Sequence, residues 1–136
     1  MKSNHPVEAL ETAEQQLFAT SLATDTEPGK NERVARALGS LGWTAIFAHD
    51  IPRAVWAGEQ AVVLAPNLLF AKLNYAHALM YSEDTSAAKQ LYLEGLSGGG
   101  TAAAEWRKMI RSDFSDLSAH QLQNPLMVEI DREIGP

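Results

Sequence analysis

Four histidines are the natural starting points for acid–base or metal chemistry: His5, His49, His77 and His120. They lie too far apart to make a local ligand pair. There is no HExxH spacing, and the chain has no cysteine to supply a thiolate ligand, a thiol nucleophile or a disulfide. Gly98-Gly99-Gly100 would suit a phosphate cradle only after a strand and before a lysine. It follows a helical pattern and leads into Thr101, so it reads as a linker or cap. Gly39-Ser40-Leu41-Gly42 falls short of the GxSxG elbow and lies inside a helical pattern. The adjacent carboxylates of Glu83 and Asp84 fit a solvated helix cap better than a general acid and its partner. No catalytic, cofactor-binding or metal-ligating residue is therefore expected, and an enzyme is disfavoured.

The elements that carry these residues belong to one domain. The chain has 136 residues, 46% of them hydrophobic, enough to bury a core over its whole length, 1–136. With 17 acidic against 11 basic residues the net charge is −6, which argues against a nucleic-acid-binding face. The charge is uneven: residues 1–32 and 112–136 each carry a net −4, and residues 33–111 carry +2. No apolar run approaches the roughly 20 residues of a membrane span. The opening MKSNHPVEALETAEQQ has no apolar signal region. The expectation is a cytoplasmic domain with no membrane partner.

Alanine, leucine, glutamate and glutamine dominate, β-branched residues are sparse, and no stretch alternates with period two, so the fold class is all-α. Seven helices are predicted. An N-terminal helix over 6–22 presents Val7, Leu10, Leu17 and Phe18 at helical spacing and ends before the loop Thr24–Lys30. The second runs over 31–48. The third follows the cap Asp50, tolerates Pro52 in its first turn and stops before Pro66. The fourth spans 68–81, the fifth 85–96 and the sixth 102–119. The seventh begins at the Asn124-Pro125 cap and fades near Gly135. Short connections make consecutive helices antiparallel neighbours.

An offset of 34 residues brings like positions together. Small residues coincide at Ala37/Ala71, Gly42/Ala76 and Ala54/Ala88, larger ones at Ile46/Met80, Phe47/Tyr81 and Val62/Leu96, and the turn at Asp50/Asp84. Small side chains are needed where two helices of a hairpin approach closely. With this period the chain resembles the tetratricopeptide repeat family. Leu41-Gly42, Asp50, Ala54, Ala61 and Pro66 carry the likeness in one unit (31–66). Asn74, Ala76, Asp84, Ala88, Tyr92 and Leu96 carry it in the next (68–97). Gly58 and Ala45 stand where the family has larger side chains and Gly95 where it has alanine, with Trp56 a candidate to supply the bulk missing at Gly58. Trp106, Ile110, Asp113-Phe114, Leu117 and Pro125-Leu126-Met127 resemble the end segment of repeat modules attached to bacterial multidomain proteins, some with caspase-like or trypsin-like protease domains. The resemblance implies a short right-handed α-α superhelix, with residues 101–135 as C-terminal capping helices.

In such a stack the first helix of each pair lines a concave face. The expected groove residues are Arg36, Trp43, Ile46 and Phe47 from the second helix, and Phe70, Leu73, Asn74, His77, Met80 and Tyr81 from the fourth. An exposed apolar and aromatic strip would take a protein or peptide segment, with the aromatics as anchors and Arg36 orienting an acidic group of the partner. Gly39 and Trp43 occupy places where clamping a peptide carboxylate would need charged or polar groups. The other reading is a structural or oligomerising domain, a homo-oligomer included, whose strip is filled by its own helices.

Overall fold

The computed structural model describes residues 6–21 and 29–136; the predicted loop at 24–28 and the side chains of Val7 and Phe18 lie outside the described residues. Seven helices follow one another, α1 Pro6–Ser21, α2 Lys30–Phe47, α3 Ile51–Leu64, α4 Leu69–Tyr81, α5 Thr85–Glu94, α6 Gly100–Ala119 and α7 Pro125–Ile134. There is no strand among the described residues. Each helix packs on its chain neighbour through α5; α2 also meets α4, and α5 meets α7.

The helix ends follow from side-chain chemistry. Asp50 and Asp84 cap α3 and α5 by accepting from the amides of Arg53 and Ala87, and Asn124 caps α7 by accepting from Leu126. The turns before α3 and α5 are the same turn 34 residues apart. His49 (φ 61°) and Glu83 (φ 69°) take the left-handed conformation, and the next amide reaches back to Ala45 O at 2.9 Å or Leu79 O at 3.1 Å. This turn occurs a third time after α6, where Gln121 has φ 62° and Leu122 N–H bonds Leu117 O at 3.0 Å. Among the described residues, three helix pairs thus share this turn, α2–α3, α4–α5 and α6–α7.

The coincident small residues lie at the crossings. Ala54, Ala76 and Ala88 are fully buried, and a Cβ on Gly42 would stand 3.5 Å from Ala54 O. Three aromatic rings rest on glycines of neighbouring helices: Phe70 on Gly39, Tyr75 on Gly58 and Trp106 on Gly95. Tyr75, not Trp56, therefore fills the space at Gly58; Trp56 is an exposed residue of α3.

α6 brings Trp106, Ile110, Phe114 and Leu117 into the core as one face. Trp106 Nε1 donates to Tyr92 O at 2.7 Å, and Phe114 meets the Tyr92 ring edge-on at 5.5 Å. α7 is tied down by polar contacts. Lys89 on α5 reaches Glu129 and Glu133 at 2.5 and 2.9 Å, and Arg107 and Arg111 on α6 cap its last carbonyls, Ile134 O and Gly135 O. At the other end Leu10, Ala13 and Leu17 of α1 join the core, and Glu14 pairs with Arg53 of α3.

Candidate functional site

The site is a groove between α2 and α4 on one side and α6 on the other. α6 crosses the strip predicted to be open and buries its middle. His77 has no exposed surface. Its Nε2 is 2.9 Å from Asp113 Oδ2 on α6 and its Nδ1 is 2.6 Å from the Tyr92 hydroxyl on α5. The ionised carboxylate can only accept, so Nε2 donates to it; in a neutral ring Nδ1 then accepts from the Tyr92 O–H, which also lies 3.9 Å from Met80 Sδ. Burial, reinforced by the charges of Tyr81 and Asp113, pushes the Tyr92 hydroxyl well above its ordinary pKa and keeps it protonated. The relay resembles a proton chain, but its tyrosine end is sealed in the core and its aspartate end is 27% exposed. Of the relay, the Asp113 carboxylate alone reaches the cleft, and the His77 and Tyr92 ends are enclosed.

The ten predicted groove residues separate into four sets. Ile46, His77 and Met80 are core residues, because α6 and the hairpin interiors enclose them. Arg36 is exposed, but its guanidinium is bonded at 3.1 Å to Glu32 one turn earlier and lines neither cleft. Tyr81 is half-buried and donates to Leu122 O at 2.5 Å, which fastens the loop after α6 to α4. Burial raises its hydroxyl pKa above the ordinary value. Trp43, Phe47 and Phe70 are half-buried and line open space; Leu73 and Asn74 border it but are themselves buried, at 1% and 3% exposed.

That space is two clefts meeting at Trp43. A cleft of about 620 Å³ lies between Trp43, Phe70, Leu73, Asn74 and Ser40 on one wall and Glu105, Lys108, Met109, Ser112, Asp113 and Asp116 of α6 on the other. A cleft of about 450 Å³ continues past Trp43 to Phe47, His49, His120 and Leu122. Trp43, Thr44 and Asp116 border both. Both volumes are in the range of ligand-binding clefts. Trp43 is half-buried, with its ring centroid 5.0 Å from Phe47 and 6.0 Å from His77; the Phe47 ring in turn meets His120 edge-on at 4.9 Å. Asn74 is 3% exposed and donates from Nδ2 to Gly39 O at 3.2 Å, which fixes its amide across α2 and α4.

The α6 wall was missed by sequence reasoning. Residues 105, 108, 109, 112, 113 and 116 recur at helical spacing beside the apolar stripe, and that periodicity was the only signal available. Among the described residues no group of histidines and carboxylates is arranged to hold a metal ion, and no helix is long and apolar enough to cross a membrane. No family model, curated protein or solved structure matches the chain.

Proposed function

We propose that the chain is a non-catalytic helical-repeat module, tetratricopeptide-like in its hairpins, that holds a protein segment in the groove between α2, α4 and α6. The observation that carries this reading is Trp43, a half-buried aromatic shared by two clefts and flanked by Phe47 and Phe70. A central aromatic of this kind is a typical binding anchor. The enclosed tyrosine of the His77 relay supports binding over catalysis.

A photo-cross-linker in place of Ser40, an exposed residue at the mouth of the larger cleft, should capture the partner. Trp43→Ala should then weaken binding by about 2 kcal/mol or more while the domain stays folded. Unchanged binding, or a domain that unfolds on this substitution, refutes the groove reading.

A second reading is favoured by a different observation: Trp56 and Val63, two turns apart on α3, are 50% and 72% exposed. Self-association through that face would make the module an oligomerising element. Trp56→Ser should then convert a dimer to a monomer in sedimentation; a monomeric parent chain removes the idea.

A further inference from the structure

We propose that the occupant of this groove is a basic peptide segment, with an arginine side chain laid between the ring of Trp43 and the carboxylates of α6; the proposal rests on the groove reading above and deepens it. The charge on the groove wall carries the assignment. α6 presents Glu105, Asp113 and Asp116 against one cation, Lys108. Among the described residues nothing pairs with the Glu105 or Asp116 carboxylate, and Asp113 gives one oxygen to His77. Asp116 stands in the last turn of α6, where the free carbonyl ends already make the field negative and an acidic side chain is unfavourable. A bound cation would relieve that conflict.

Two of the uncharged groups facing the groove add acceptors, beside the Ser40 and Ser112 hydroxyls, which can donate or accept. Asn74, almost wholly buried, uses its NH₂ on Gly39 O, and no described residue donates to its Oδ1. Thr44 spends its hydroxyl proton on Ser40 O at 2.8 Å and keeps only lone pairs to offer. Carboxylates and the Asn74 and Thr44 acceptors beside an indole face suit a flat, donor-rich cation, because a guanidinium both stacks on the ring and donates in its own plane. An acidic segment would find one lysine in the larger cleft, Lys108, facing three carboxylates, since Arg36 is engaged by Glu32 outside the clefts.

The test uses four fluorescein-labelled pentapeptide amides, Gly-Leu-Xaa-Phe-Gly with Xaa arginine, lysine, glutamine or glutamate, titrated with the full chain by fluorescence anisotropy. The arginine peptide should bind about tenfold tighter than the glutamine peptide, with lysine between them and glutamate weakest. Asp116→Asn and Glu105→Gln, both exposed positions, should each remove about threefold or more of the preference for the arginine over the glutamine peptide. Helical circular dichroism establishes that both variants fold. Trp43→Phe should reduce the arginine peptide more than the glutamine peptide, since indole is the better cation platform. Equal binding of the arginine and glutamine peptides, or a preference for glutamate, overturns the assignment of a cation and leaves the groove reading standing. Failure of all four peptides to bind, with no capture by the cross-linker at Ser40, overturns both.

Discussion

Gly95 is the position where a single methyl group should do the most damage. A Cβ built there would lie 2.1, 2.2 and 2.4 Å from three atoms of the Trp106 ring, distances that no packed structure tolerates. The ring cannot swing aside freely: it is 1% exposed, and its Nε1 is held at 2.7 Å by Tyr92 O. Overpacking of this kind costs about 1–3 kcal/mol. Displacing the indole also leaves its N–H and the Tyr92 carbonyl buried and unpaired, a further loss of about 1–3 kcal/mol. Gly95 has ordinary right-handed angles (φ −64°, ψ −13°), so alanine is allowed by the backbone and regains about 0.4–1 kcal/mol through the unfolded chain. Gly95→Ala should therefore lose about 2–4 kcal/mol in urea unfolding followed by circular dichroism, with the denaturant slope unchanged. On a chain of this length that is a fall of roughly 8–16 °C in Tm. In a Trp106→Leu background the same change should cost less than about 1 kcal/mol, because the clash is gone. Wild-type stability, or a gain of the size of the entropy term, would mean that Trp106 does not rest on Gly95.

Two further outcomes follow from the buried relay. Tyr92→Phe strips the donor from His77 Nδ1 and should cost about 1–3 kcal/mol in urea unfolding, since the nitrogen has no other partner and no solvent; an unchanged midpoint would remove the relay. Alkaline titration should find Tyr81 and Tyr92 protonated for as long as the domain is folded, because burial raises both hydroxyls above their value in the unfolded chain. Both states hold the proton below about pH 10; above it the unfolded chain loses protons that the folded one keeps, so stability falls as pH rises. Tyrosinate absorbance from more than one of the three tyrosines before unfolding would contradict this.

The helices were legible because their ends carry local chemistry. Asp50, Asp84 and Asn124 cap without tertiary help, and Pro66 and Pro125 allow few alternatives. The 34-residue correspondence was legible because the same left-handed turn must be followed by the same kind of cap. The third such turn escaped because α6 is longer than α2 and α4, so its repeat falls at a different offset, and because Phe114 stands where the small Ala76 does. The site was harder to read. Periodicity reveals which face of a helix is apolar, but not which neighbour covers it. Nothing local to Ile46, His77 or Met80 announces that α6 lies across them, or that Asp113, 36 residues away, accepts a hydrogen bond from His77 Nε2. Arg36 was assigned to a partner because its pairing with Glu32 competes with no apolar pattern.

The rings of Phe70, Tyr75 and Trp106 seated on Gly39, Gly58 and Gly95 also act as keys in slots. To slide α4 along α2 or α3 by one helical turn, about 5.4 Å, would drive a ring into a position bearing a side chain. Shear between packed helices, the usual way a helical stack breathes, is blocked at those interfaces. A groove with walls locked in register cannot be widened gradually. In the binding proposed above, adaptation would fall to Trp43, Phe47 and the long side chains of α6, and a segment would be selected on shape at the moment of contact. Little ordering of the backbone then has to be set against its affinity.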